Sequence, residues 1–291
     1  MGSADRAGAN PERGTIVLTL DVEADGGGFP ESGRTFESFR MLPRVLDALG
    51  ERGVPLTAFV EGEILDRRPE LIDPLIAFGT VIESHAWDHS AVAADFPARI
   101  DNLERGLEAY RARFGASAVG FRAPYGIIGA DEIARLSRAG VRYDSSVFPC
   151  FFPGRFNNFG APRTPYRHAG TNLAELPLGA LGFSRFPLGL SFVQLIGWHA
   201  FRALFTLSPK SPCFIFNFHL HDLCQGDWLL RPDVPASLRL GYRATLRSDP
   251  FGVLLHFLDL AIRSGYGFTT TRGWLARLDV PSLPEYTSRM A

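Results

Sequence analysis

The chain has 291 residues, 46% of them hydrophobic and 21% charged, with a formal net charge of −1 at pH 7. That length accommodates one large α/β domain or two small ones, with enough chain for a continuous core. The neutral balance excludes a global attraction to nucleic acid, so no nucleic-acid partner is expected and an anionic ligand would need a local patch.

Residues 1–14 are polar and lack the apolar stretch of a secretory signal, and they read as a flexible lead-in to a domain over residues 15–291. Thr15 to Val22 (TIVLTLDV) has the pattern of a buried strand. Phe36 to Arg52 has helical spacing closed by Gly53, Val54 to Val60 reads as a second strand, and a helix follows through Ile72. Thr80 to Glu83 is a short strand running into His85, and Pro97 to Phe114 is a charged amphipathic helix. Ala118 to Phe121 and Val141 to Asp144 are strands flanking a helix over Asp131 to Ala139. Phe148 to His168, rich in Pro, Gly, Phe and Asn, reads as a long functional or covering loop. Strand character returns at Leu173 to Leu178, Cys213 to Phe218 and Gly267 to Thr270, with helices over Phe192 to Thr206 and Phe251 to Ser264. Strands alternating with helices predict parallel pairing in one domain of about seven β/α units, closed as a barrel.

Residues suited to chemistry recur just after these strands. Asp21 and Glu23 end the first, His85 and His89 follow the third, Arg122 the fourth, Asp144 the fifth, and His219, His221 and Asp222 a later one. In parallel α/β folds the carboxyl ends of the strands meet on one face, where sites are built. His85 and His89, four apart, would project to one side of a helical turn and could bind one metal, zinc or a neighbour in the divalent series. Asp21 and Glu23 fall on the same face of an extended strand, so one carboxylate can complete a two-histidine set while the other works as a base. Asp25 could take either role if the strand ends early. In Arg122-Ala123-Pro124-Tyr125 the arginine can hold a carboxylate with two hydrogen bonds. Each segment also has a blander reading: capping acids, surface histidines or an edge salt bridge. His199 and His256 lie in apolar helices and read as core or surface residues, while His168, in the loop, carries no signal.

Together these segments resemble the five motifs of the polysaccharide deacetylase family, also called the NodB-homology or carbohydrate esterase family 4 domain. Leu18 to Glu23 resembles the first motif, Ser84 to His89 the second, Arg122 to Tyr125 the third, Tyr143 to Ser146 the fourth and Phe218-His219 the fifth, in family order over Thr15 to Leu278. The chain departs from the pattern in having glutamate one position later than the usual second aspartate, Ala86 in the second motif, and His221 as a rival to His219. The resemblance implies an irregular (β/α)7-type barrel and a hydrolase that removes the acetyl group from an N-acetylated sugar. The sugar would belong to a polysaccharide, a surface glycan or its lipid- or nucleotide-linked precursor.

It further implies a divalent metal, Zn2+ first and Co2+, Ni2+ or Mn2+ as substitutes, held by Glu23, His85 and His89. Asp21 would be the base oriented by Arg122, and a backbone N–H near Tyr125 would help hold the oxyanion. His219 would be the acid, with Asp144 or Asp222 raising its basicity and His221 and Asp222 beside the substrate. Two rival readings are a hydrolase of another C–N bond, such as a cyclic amide, and a silent glycan-binding domain. Three cysteines without metal spacing suggest a reducing compartment, and the cytoplasm is expected. The apolar stretch from Leu178 to Leu207 is broken by Arg185, Pro187, His199 and Arg202, so it is a poor spanning helix. Within it, Ser191 to Leu207 has an apolar face of Phe192, Leu195, Ile196, Trp198, Phe201, Leu204 and Phe205 which, with Arg202, Arg185 and Lys210 nearby, either packs on the core or docks weakly on a membrane at its inner surface.

Overall fold

The computed structural model describes residues 14–27, 34–90, 96–152, 156–224 and 249–287, with isolated positions at 232, 236 and 239. Apart from Gly14, the expected N-terminal lead-in lies outside the described residues.

The first half alternates as the patterning predicts. Strands β1 (Thr15–Val22), β2 (Thr57–Val60), β3 (Val81–Ser84), β4 (Gly120–Phe121) and β5 (Tyr143–Asp144) are separated by α1 (Leu42–Glu51), α2 (Gly62–Arg67), α3 (Asp73–Phe78), α4 (Phe96–Phe114) and α5 (Ala130–Arg138). A small antiparallel pair follows, β6 (Phe151–Phe152) with β7 (Phe156–Asn157), then β8 (Tyr166–His168) and β9 (Ala174–Glu175). The second half continues with the hairpin β10 (Ala180–Leu181) and β11 (Phe186–Pro187), helices α6 (Leu190–Ile196) and α7 (Trp198–Leu207), and β12 (Cys213–His219). It ends with α8 (Pro250–Arg263), β13 (Gly267–Thr269), α9 (Thr271–Leu275) and β14 (Glu285–Tyr286).

Seven strands in the order β12-β1-β2-β3-β4-β5-β9 pair in parallel, and β8 and β14 extend the sheet beyond β9. The sheet curls until its ends meet: Leu178, just past β9, bridges to Ile215 of β12, and Gly189 bridges to Asn217. This is the expected irregular (β/α)7-type barrel, closed by two isolated bridges in place of a ladder. β13 pairs with Thr15–Val17 at the start of β1, whereas β2 pairs with Thr19–Val22 at its end.

Alternation along β1 explains why a buried strand can carry acids. Ile16, Leu18, Leu20 and Val22 join the apolar layer that includes Val45, Leu49 and Phe257 from the helices. Val17 instead packs with Phe59, Tyr143, Leu176 and Ile215 inside the barrel. The same inner face continues through Thr19 and Asp21, so the barrel interior turns from apolar to polar toward its carboxyl-end rim.

One expected helix breaks in two. α6 and α7 meet at 110° across Gly197, whose φ of 83° and ψ of 151° suit glycine and few other residues. The bend folds α7 back onto the barrel, where Phe201 and Phe205 are buried against Phe257. Trp198 is half-buried and its ring lies 5.5 Å from that of His256. Phe201 and Phe205 of the face that offered membrane docking therefore pack on the core, whereas Leu195 and Ile196 at the end of α6 stay exposed. No single helix among the described residues is long and apolar enough to cross a membrane.

Candidate metal centre and catalytic cluster

The rim gathers Asp21 of β1 and Glu23 just after it, His85 and His89 from the segment after β3, Arg122 after β4, His219 at the end of β12, and His221 and Asp222 after it. His85 and His89 share a side as their spacing predicted, but the cause is different. The segment is not helical: Ala86 sits at φ 56°, and this left-handed turn brings the two rings to 5.1 Å. Gly106 of α4 makes the turn possible, because a Cβ there would stand 2.2 Å from the Ala86 carbonyl carbon.

His89 Nε2 lies 2.7 Å and His85 Nε2 3.4 Å from Glu23 Oε2. The far ring nitrogens are committed elsewhere. His85 Nδ1 stands 2.8 Å from the backbone oxygen of Arg122, and His89 Nδ1 2.8 Å from Glu61 Oε1. Each Nδ1 must donate to those oxygens, which leaves the Nε2 lone pairs facing Glu23. His85 Nε2 is buried and makes no hydrogen bond among the described residues. One oxygen and two bare imidazole nitrogens, each within 4.8 Å of the others, form a donor set that suits a divalent cation.

The charges agree. Burial would depress His89, but the Glu23 and Glu61 carboxylates push it up to about 10, so without a cation a proton takes its place. Burial would likewise raise Glu23, yet His89, His219 and His85 hold it well below the usual carboxylate range.

Asp21 stands beside this triad. Arg122, 2% exposed, donates from Nη1 to Asp21 Oδ1 at 2.6 Å, while its Nε and Nη2 donate to the backbone oxygen and Oγ of Ser145. Asn217 Nδ2 donates to Asp21 Oδ2 at 2.9 Å, and Thr19 donates to Asn217 Oδ1. Burial would raise the Asp21 carboxyl, but the Arg122 guanidinium, His219 and His85 together outweigh it and keep Asp21 ionised.

His219 Nε2 is 3.5 Å from Asp21 Oδ2 and 3.9 Å from Glu23 Oε1. Its Nδ1 lies 2.9 Å from Asp222 Oδ2, which also accepts from the His219 backbone N–H. Burial disfavours its charge, but Asp222, Glu23 and Asp21 raise it well above the ordinary histidine value. His221 is stacked on His219 at 4.8 Å, fully inside, with its Nδ1 3.9 Å from Glu23 Oε1. Burial and the charge of His219 lower it, so His219 is the protonated member of the pair.

Tyr125, at φ 54°, sets its ring edge-on to His89 at 4.8 Å and donates from its hydroxyl to the Gly27 carbonyl, walling the site. Two expectations fail here. Asp25 is spent on structure: its carboxylate accepts from Thr35 Oγ1 and from the backbone N–H groups of Glu37 and Ser38. Asp144 lies with His168 and Glu175 in a separate cluster, so Asp222 is the carboxylate that partners His219.

Two buried residues belong to the site without having been expected. Glu61 accepts from His89, Arg34 and the Ala24 N–H, and Asn217 links Asp21 to Arg122. Glu61 follows β2 directly, so the strand-end pattern could have found it. Asn217 is the polar interruption in the apolar run CFIFNF.

Comparison with known proteins finds the following likenesses. Residues 8–143 match the family model described as polysaccharide deacetylase. A chitooligosaccharide deacetylase of Sinorhizobium fredii (strain NBRC 101917 / NGR234) is 36% identical over 127 residues, which are 41% of this chain and 58% of that protein. The chain spans about half the length of the curated relatives it matches. In fold it is similar to a Mycobacterium smegmatis protein assigned to the polysaccharide deacetylases, with a TM-score of 0.63, 20% identity and 96% of each chain covered. It is also similar to a family 4 carbohydrate esterase pseudoenzyme of Bacillus anthracis, with a TM-score of 0.54, 12% identity and coverage of 96% of this chain and 71% of that one. Over residues 8–143, just under half of its length, the chain is similar to the polysaccharide deacetylases.

Proposed function

We propose that the protein is a metal-dependent hydrolase that removes acetyl groups from an N-acetylated sugar, with an N-acetylhexosamine glycan as substrate. The observation that carries this reading is the convergence of three functions on one rim. A metal-type donor set, an arginine-held carboxylate and a carboxylate-held histidine lie within 4 Å of one another in sequence of contact.

Glu23, His85 and His89 would hold the cation, and Zn2+ suits two imidazoles and a carboxylate. When bound, the metal supplies Lewis acidity to the acetamide carbonyl and to a water. Asp21, kept ionised by Arg122, accepts the water proton at Oδ2, the oxygen that faces His219. His219 donates its Nε2 proton to the departing amine nitrogen, and Asp222 holds the ring through Nδ1. The amide bond breaks as the water oxygen bonds to the carbonyl carbon, giving acetate and a free amine. Tyr125 narrows the approach. The name of the Sinorhizobium relative supports a short glucosamine-type oligomer as the first substrate to try. The free thiols of Cys150, Cys213 and Cys224 support action in a reducing compartment.

Acetate release from N-acetylated chito-oligosaccharides tests the reading. Asp21→Asn and His219→Ala should each fold, retain metal and lose about 10²–10⁴-fold in kcat. Wild-type protein loaded with Zn2+ that releases no acetate from any N-acetylated glycan would overturn it, as would full activity in His219→Ala.

A further inference from the structure

Asp144 is absent from the rim because strand alternation turns it outward. Its neighbour Tyr143 points into the barrel, with its ring against Phe59 and its hydroxyl bonded to Glu83 and Thr271. Asp144 therefore faces the other side of the sheet. There the register brings partners to it. Asp144 pairs with Glu175 across β5 and β9, Tyr166 pairs with Glu175 across β8 and β9, and His168 lies two residues beyond Tyr166 on the same face.

The result is a closed polar cluster. His168 Nε2 stands 3.2 Å from Glu175 Oε2 and 3.8 Å from Asp144 Oδ2, and none of the three residues is more than 2% exposed. The remaining carboxylate oxygens are anchored: Asp144 Oδ1 accepts from Ser146 Oγ and Glu175 Oε1 from the Val147 N–H. This leaves Asp144 Oδ2, Glu175 Oε2 and His168 Nε2 aimed at a common point, each within 4.8 Å of the others.

An unpartnered carboxylate oxygen marks that point as lacking an occupant, and an unpartnered hydroxyl lies on the same face of the sheet. Asp144 Oδ2 and the hydroxyl of Tyr166 are both buried and make no hydrogen bond among the described residues. Tyr166 is close enough for the Glu175 and Asp144 charges to add to the effect of burial in keeping it from ionising. Among the described residues, neither carboxylate meets a lysine or arginine. Two ionised carboxylates buried side by side need a cation or protons to offset them.

We propose that Asp144, His168 and Glu175 hold a divalent cation, forming a second metal site on the outer face of the sheet. Two carboxylate oxygens and an imidazole nitrogen suit Zn2+ or Mn2+. Full enclosure leaves no approach for a substrate, so the site is structural and ties β5, β8 and β9 together where the sheet passes beyond the barrel. The competing occupant is a proton. Burial and the Asp144 charge push Glu175 up to about 8, and the carboxylates push His168 up to about 9 against the effect of burial. A chain without the cation would therefore keep protons at this point. The inference is independent of the activity proposed above.

Metal content after equilibrium dialysis against Zn2+ or Mn2+, measured by elemental analysis, distinguishes the two occupants. Wild-type protein should carry two ions per chain. His85→Ala/His89→Ala, which disables the rim site, should carry one. Adding Glu175→Gln or His168→Asn to that double variant should remove it. A double variant that binds no metal would assign the point to a proton. One that keeps its ion after Glu175→Gln and His168→Asn would place the ion elsewhere, and either result overturns the proposal. Should the added substitutions prevent folding, the melting temperature of the double variant decides: it should rise on adding Zn2+, because only the folded chain holds the site. An unchanged melting temperature overturns the proposal equally.

Discussion

Glu61 is fully buried and its two oxygens serve three donors: His89 Nδ1 at 2.8 Å, Arg34 Nη2 at 2.8 Å and the Ala24 N–H at 3.3 Å. Glu61→Gln keeps the shape but replaces one acceptor oxygen by a donor. If the amide NH2 faces Arg34 and Ala24, donor meets donor on that side. If it faces His89, Nδ1 must accept, and the ring proton moves to Nε2, the nitrogen that points at Glu23. Either arrangement weakens the donor set. Loss of such an outer partner typically costs about 10–100-fold in metal affinity, or about 1.4–2.8 kcal/mol. The fold should survive, because Arg34 keeps Glu63 and Asp88 at 2.6 and 3.2 Å. Competition with a chromophoric chelator for Zn2+ at neutral pH reads the change directly. Glu63→Gln is the control, since it touches Arg34 but not His89. A Glu61→Gln protein that binds Zn2+ as tightly as wild type would refute the view that Glu61 fixes the His89 tautomer.

Two further outcomes follow from particular contacts. Gly106→Ala places a methyl group 2.2 Å from the Ala86 carbonyl carbon, so the turn carrying His85 and His89 must shift; lower thermal stability by about 1–3 kcal/mol and weaker metal binding are expected together, and a metal affinity equal to wild type would show that the turn tolerates the shift. Asp222→Asn removes the carboxylate that, with Glu23 and Asp21, raises His219 against the effect of burial. The acid then loses its proton at lower pH, and the alkaline limb of the kcat/KM profile should move to lower pH; an unmoved limb would mean that another group supplies the proton.

Much of the site was legible because chemistry-bearing residues sit at strand ends, and strand ends can be read from an apolar run and its boundary. Asp21 and Glu23 share a face because alternation is a local property of β1. The His85–His89 spacing pointed to the right neighbours by the wrong route, since a four-residue separation is spanned equally by a helical turn and by a turn with Ala86 left-handed. Asn217 could be seen as polar within an apolar strand, but its bond to Asp21 depends on the β1–β12 register, which no local pattern carries. The same holds for His168. It acquires partners only when β8 folds back beside β9, a pairing between short strands whose own sequences are weak signals. The break at Gly197 was hidden because the apolar residues on both sides fit one continuous helix.

The seam of the barrel bears on catalysis through Asn217. On one side β12 runs alongside β1 for seven residue pairs, but on the other it is joined by the Gly179 N–H to Ile215 and the Asn217 N–H to Leu188. With so few main-chain bonds across that edge, fluctuations of the closed cylinder should concentrate there, and those two amides should exchange with solvent ahead of those between β1 and β2. Asn217 belongs to the yielding edge through its backbone and to the proton acceptor through its side chain, which donates to Asp21. Each opening of the seam therefore loosens the orientation of Asp21, so under the proposed function residence of the seam in its shut state limits the fraction of time the site is competent. A molecule that pries between β9 and β12 would, on that reading, inhibit without touching Glu23, His85 or His89.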